Sequence, residues 1–184
     1  MHRGRCCGAA PAGTGAAPQS LIDYMGLPLR ESLPALANKL IENDLKRRIR
    51  IIASGKLVDP ASVAWAICLG ADFVASARGF MFSLGCIQAL KCNKNTCPTG
   101  ITTHDPHLQK GLVVTEKHRR VAYYAQSVIK EVETIAHAVG VGEPRQLRRH
   151  HARMVNANGD SVPLEELWPP IEPGIYLRQG RPSL

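Results

Sequence analysis

Apolar residues recur at helical spacing through Glu31–Lys46 (ESLPALANKLIENDLK), where Leu33, Leu36, Leu40, Ile41 and Leu45 share one side and Pro34 fits a first turn. The spacing predicts an amphipathic helix. The pattern then changes, because Ile49–Ala53 (IRIIA) is short and β-branched and runs straight into Ser54-Gly55-Lys56. This predicts a buried strand ending in a tight turn. Asp59-Pro60 has the chemistry of an N-cap followed by a first helical position, and the apolar positions Val63, Ala64, Ile67 and Cys68 lead to a stop at Gly70. Asp72–Ser76 (DFVAS) is a second short apolar strand, ending in Ala77-Arg78-Gly79. Helix, strand, helix, strand, with small-residue turns at the carboxyl end of each strand, is the grammar of parallel βαβ units in an α/β fold. Thr115–Val139 predicts one long helix whose Val121, Ala125, Val128, Val132, Ile135 and Val139 form a stripe packed on the core, closed by Gly140. The ends differ. Residues 1–20 are rich in Gly, Ala and Pro and read as loop, and the tail from Gly142 is basic and Pro/Gly-rich, a surface wrap or partner contact.

Composition narrows the class. At 184 residues and 45% hydrophobic content the chain suffices for one domain with a core. Its apolar runs are far shorter than a membrane span, and Met1–Pro18 lacks the apolar centre of a secretory signal, so no membrane is expected and the cytoplasm is the expected compartment. Reducing conditions there favour reduced, buried or metal-bound states for the six cysteines over disulfides. A net charge of +8 raises nucleic acid as a partner. The basic clusters at 46–48, 119–120 and 148–153 match no nucleic-acid module, and 5% aromatic content offers little for base stacking. No nucleic acid is expected; a solvated face or a dock for an acidic protein fits better.

Two features carry candidate chemistry. The first is GCIQALKCNKNTCPTG, residues 85–100, which sets Cys86, Cys92 and Cys97 on one loop with Pro98 turning the chain away and Gly85 and Gly100 leaving room. Three close thiols suit an iron–sulfur cluster with three ligated irons. Zinc with His104 as a fourth ligand is the alternative, though the gaps are not those of common zinc fingers, and plain buried thiols remain a third reading. Cys68 reads as core, and Cys6 and Cys7 fall in a leader expected to be disordered. The second feature is the pair of glycine turns at neighbouring strand ends, Gly55 and Gly79, whose backbone N–H groups can approach phosphate oxygens while Arg78 neutralises charge. Glycine turns without any ligand, and Lys56 as an ordinary surface lysine, are the bland alternatives.

The run I-A-S-G-K-L…A-W-A-I-C-L-G-A-D-F-V…A-R-G-F-M-F-S-L-G-C-I-Q-A-L-K-C-N-K-N-T-C-P-T-G-I-T-T resembles the carboxyl-terminal part of the FMN-binding domain of glutamate synthases. It is most similar to short family members that lack the amidotransferase domain, from about Gly13 to Arg145–His151. The resemblance implies the carboxyl-terminal part of a (β/α)8 TIM barrel at 13–140, with a cluster loop at 85–100, after an atypical leader at 1–12 and before a helical, basic extension at 141–184. It implies FMN at the strand ends and a 3Fe-4S cluster held by Cys86, Cys92 and Cys97. By position, Ser54, Gly55 and Lys56 and then Ser76, Ala77, Arg78 and Gly79 would lie at the flavin phosphate, and Gly13, Thr14 and Gly15 near the isoalloxazine. The implied activity is that of a flavin oxidoreductase acting on CH-NH2 donors, reducing 2-iminoglutarate to L-glutamate. Its electrons would come from ferredoxin or an NADPH-oxidising subunit, in glutamate biosynthesis and ammonia assimilation.

The chain departs from the family in three places. Large glutamate synthases carry a pattern like D-G-Q-L-K-T-G, and Val58 replaces the lysine linked there to the 2-oxo acid, which leaves Lys56 as the candidate catalytic residue. The lead-in MHRGRCCGAAPA is unlike the family, as a shifted frame or misplaced start would produce. A full barrel takes at least about 200 residues, so an incomplete barrel is expected, with a companion chain as a possible source of the remaining strands and with exposed edges that make the chain alone unstable or prone to aggregate. The non-enzymatic alternative is a non-catalytic remnant, or an interaction module holding zinc or docking through Arg148–Arg153.

Overall fold

The computed structural model of the chain describes the backbone of residues 5–8, residue 17 and residues 26–179. Helix α1 (Leu29–Glu42) buries Leu29, Leu33, Ala37 and Leu40, the stripe expected of an amphipathic helix. It ends before Lys46 because Asp44 takes left-handed backbone, φ 53°. Pro34 lies inside this helix, beyond its first turn, with its ring packed in the core.

Strand β2 (Ile51–Ser54) leads to α2 (Pro60–Cys68), and β3 (Phe73–Ala75) to α3 (Ala77–Ser83). The start of α2 is the one its sequence encodes, with Asp59 accepting the Ser62 N–H at 2.8 Å and Pro60 opening the helix. Gly70, at φ 105°, turns the chain out of it.

Two local readings change. Strand β1 (Arg5–Gly8), inside the stretch read as loop, pairs in parallel with β2 from Arg5 opposite Ile51 to Gly8 opposite Ser54. Its partner lies more than forty residues away, so nothing local announces it. Ala77-Arg78-Gly79 is not a turn but the first turn of α3, and Gly79 is buried without positive φ.

The sheet is three-stranded, parallel and ordered β1-β2-β3, which places the chain in the α/β class. Among the described residues it does not close into a barrel. Ile51 and Ala53 are fully buried and Val74 packs against the same core as the helices. Their neighbours along the strands form the pairs Ile52–Phe73 and Ser54–Ala75, which by the alternation of a strand face the other way. Ala75 is exposed, while Phe73, on edge strand β3, is 49% exposed, with the Arg145 guanidinium 5.7 Å over its ring, and lines a hollow with Val63, Ile67, Val128 and Val132.

After α4 (Pro106–Gln109), the long helix α5 (Val114–Ala138) lays Val132 and Ala136 into the core, with Val128 and Ile135 beside them. The tail is more than a wrap. It holds two 3-10 turns, an antiparallel hairpin of β4 (Arg153–Val155) and β5 (Ser161–Pro163), then α6 (Leu164–Leu167) and α7 (Ile175–Gln179). Leu147 and Leu164 are buried in the same core as α1 and α2. Its arginines are largely spent on this packing: Arg149 donates to the Asn38 side chain at 2.6 Å and the Trp168 carbonyl at 2.7 Å, and Arg153 binds Ser161. No helix among the described residues is long and apolar enough to cross a membrane.

Asp72 ties β3 to β2. Its carboxylate accepts from the Ile51 N–H at 2.8 Å and from Lys46 at 2.6 Å, and faces Arg50 at 3.2 Å. Burial pushes this carboxyl upward, yet the Lys46, Ile51 and Arg50 donors outweigh it and hold its pKa below the usual range. A folded pKa below the unfolded one means that protonation favours the unfolded chain. The stabilisation is complete above the unfolded value, about 3.9, and is lost as pH falls through the folded value. Asp72→Asn is expected to lower stability by about 2 kcal/mol at neutral pH and to flatten the acid limb of a stability–pH curve. An acid limb identical to wild type would refute this role.

Candidate functional site

Residues 84–105, between α3 and α4, contain no regular helix or strand and carry all three candidate ligand cysteines. Gly85 and Gly100 have φ of 100° and 77°, and Gln88, Leu90 and Asn95 also sit in the left-handed region at 54°, 54° and 58°. At Gln88 and Leu90 that backbone costs about 1 kcal/mol or more, whereas asparagine tolerates it. The second half of the loop is held in place. Thr103 donates to the Asn95 carbonyl at 2.7 Å, the His104 N–H binds the Asn95 side chain at 2.6 Å, and Gln109 reaches the Thr103 carbonyl at 2.9 Å. Gly100 presses on the backbone of Leu108 and Gln109, where a Cβ would run into the Leu108 carbonyl.

The thiols have different surroundings. Cys97 is buried, with Sγ 3.3 Å from the Thr99 hydroxyl. Burial pushes this thiol up, but the Thr99 hydroxyl, the N–H and hydroxyl of Thr102 and the Thr99 N–H more than offset it and bring its pKa down to about 6. Cys97 is therefore largely thiolate at neutral pH. Cys86 and Cys92 are half-buried, and Cys86 Sγ accepts the Gln88 N–H at 3.5 Å. Lys117 of α5 lays its ammonium against Gly85, Lys91 and Lys94 lie within the loop, and residues 85–100 contain no carboxylate. Soft sulfur donors with cations nearby and no carboxylate in the loop match the needs of an anionic thiolate-bound metal cluster. The three sulfurs are not gathered, however, and no three Cys, His, Asp or Glu side chains among the described residues stand together to hold a metal. His104 makes no fourth ligand in this arrangement.

The other candidate residues lie at the carboxyl ends of β2 and β3. Ser54 and Gly55 follow one strand and Ser76, Ala77, Arg78 and Gly79 the next, so the pairing of Ser54 with Ala75 brings the two segments side by side. Arg78 is half-buried and makes no hydrogen bond or ion pair with the described residues, and neither segment contains a carboxylate. Asp59 is occupied in capping α2 through Ser62. An unpaired guanidinium beside a glycine-bearing strand end fits a phosphate. Lys56 is exposed with φ 58°, and Val58 is half-buried beside it. Gly13, Thr14 and Gly15 lie outside the described residues.

One side chain that sequence reasoning missed joins these segments. Tyr124 of α5 donates to the Val58 carbonyl at 2.7 Å and lies 2.8 Å from the Ser76 hydroxyl. Nothing in its own stretch of sequence marks it, since Tyr123 beside it is exposed. A separate cleft of about 790 Å³, among α1, α2, α5 and the tail, is lined by Gly55, Lys56 and Cys68 but by none of Arg78, Gly79, Cys86, Cys92 or Cys97. The chemistry-bearing residues are therefore not collected in one deep pocket.

Residues 8–142 match the family model described as the conserved region in glutamate synthase. The chain is 43% identical over 155 residues to the glutamate synthase large subunit-like protein YerD of Bacillus subtilis, covering 84% of this chain and 30% of that protein. It is 35% identical over 155 residues to the archaeal glutamate synthase (NADPH) of Methanocaldococcus jannaschii, with the same coverage of 84% and 30%. Against the glutamate synthase (NADH) of Schizosaccharomyces pombe it is 32% identical over 170 residues, 91% of this chain and 8% of the relative. The chain thus spans about 30% of the length of the first two relatives.

Proposed function

Because this chain belongs to the glutamate synthase family, we propose that it is the carboxyl-terminal part of a flavin and iron–sulfur oxidoreductase that reduces 2-iminoglutarate to L-glutamate. The observation that carries the reading is the carboxylate-free loop at 85–100 with its three cysteines, which follows β3 and the short helix α3, whose Arg78 has no partner among the described residues. Cys86, Cys92 and Cys97 are the ligands of a 3Fe-4S cluster, and the loop must draw Cys86 and Cys92 toward Cys97 to hold it. Ser54, Gly55 and the Ser76–Gly79 segment, with Arg78, take the phosphate of FMN. Lys56 stands in for the family lysine that Val58 replaces and binds a carboxylate of the 2-oxo acid substrate. When bound, the cluster supplies single electrons and the flavin a hydride. This chain's own residues bind the phosphate, supply the thiolates and orient the acid.

The sheet does not close among the described residues, and further barrel strands from a companion segment or chain would extend it. An acidic ferredoxin or an NADPH-oxidising subunit is the electron donor this reading requires. A second reading has one observation in its favour: the ungathered sulfurs suit a non-catalytic remnant, with zinc the metal such a remnant would hold if the loop drew its thiols together.

An absorption spectrum with iron and zinc analysis of anaerobically purified chain separates the two. A yellow-brown protein containing iron and flavin is expected. A colourless protein with neither, or one holding zinc alone, would overturn the oxidoreductase reading.

A further inference from the structure

Tyr124 lies on α5, forty-eight residues from Ser76 and sixty-six from Val58, yet its hydroxyl touches both segments that follow the parallel strands. The proton arithmetic is fixed. A carbonyl cannot donate, so the Tyr124 proton goes to the Val58 oxygen at 2.7 Å. The Ser76 hydroxyl must then donate to the Tyr124 oxygen across 2.8 Å. Ser76 stands at the N-cap of α3 but makes no side-chain cap bond, so its hydroxyl serves the tyrosine and not its own helix.

The neighbouring residues are shaped around this contact. Phe80 meets the Tyr124 ring edge-on, with centroids 5.1 Å apart and planes at 86°. A Cβ at position 79 would collide with the Tyr124 hydroxyl and ring carbon and with the Ser76 oxygen. Gly79 is therefore required because the tyrosine passes over it, and no backbone turn demands it.

We propose that Tyr124 is a positioning residue for the flavin phosphate, fixing the β2 segment (Ser54–Val58) against the head of α3 so that Gly55 and Arg78 meet one anion. The proposal rests on the phosphate site described under Proposed function. It adds that the affinity of that site depends on a side chain that never touches the ligand.

The test compares FMN with riboflavin, which lacks the phosphate, by quenching of flavin fluorescence on the full chain and its Tyr124→Phe variant. Phenylalanine keeps the edge-on contact with Phe80 and loses only the two hydrogen bonds. Wild type is expected to prefer FMN. The variant is expected to bind FMN about tenfold more weakly while its riboflavin affinity stays within about twofold. A variant that retains the wild-type preference for FMN overturns the proposal and leaves the phosphate site standing. Equal loss of both flavins, with a collapsed Tm, overturns it in favour of a purely structural tyrosine. Wild-type chain that fails to prefer FMN refutes the phosphate site itself, and that result is visible before any variant is made.

Discussion

Cys92→Ala is expected to leave the chain without bound iron, whereas Cys68→Ala is expected to keep it. The difference follows from where the two sulfurs sit. Cys68 belongs to the buried face of α2, and burial pushes its thiol up to about 11, so it stays protonated and packs as a small apolar group. Cys92 is half-buried on the irregular loop, between residues whose backbone is already left-handed. Removing a half-buried sulfur from a loop costs little packing, so the Tm should move by only a few degrees while the metal is lost. A cluster with three protein ligands cannot keep all of its irons on two. Iron analysis and the charge-transfer absorption of both variants read this directly. A Cys92→Ala chain that holds as much iron as wild type would remove Cys92 from the ligand set.

Leu164→Ala should destabilise the chain by about 2–5 kcal/mol, the range for emptying a fully buried leucine site. That is a large part of the roughly 5–15 kcal/mol that holds a domain of this size together. Leu164 has no exposed surface and opens α6, and it shares the core with Leu147, α1 and α2. The bond from the Leu164 N–H to the Ala152 carbonyl, 2.9 Å, anchors it to the residue just before the hairpin. Urea unfolding should show a lower midpoint with an unchanged slope. A loss below about 0.5 kcal/mol would mean the tail rests on the domain without completing its core.

The elements that could be read from the chain were those whose cause is local. Asp59-Pro60 caps and opens α2, Gly70 ends it, and the valine and isoleucine stripe marks α5. Caps and periodic stripes act within a turn or two, so neighbouring residues carry the whole signal. The cysteine loop was legible for the same reason. Strand β1 was not, because a strand of small residues exists only through its partner, and its partner lies in β2.

The role of Gly79 shows the limit most sharply. In sequence, Ala-Arg-Gly after a strand is indistinguishable from a tight turn. In the folded chain it is helical, and the glycine is needed by a tyrosine arriving from forty-eight residues away. The basic tail likewise reads as solvated surface until Leu147 and Leu164 are seen inside, with Arg149 donating to carbonyl oxygens. By itself the sequence determined the βαβ order, the helix limits set by Asp59 and Gly70, and three thiols on one loop. Only the tertiary structure decided which glycine serves packing, that the tail completes the core, and that the described strands form an unclosed sheet. Those outcomes depend on contacts between distant segments, and a contact has no signature in either segment alone.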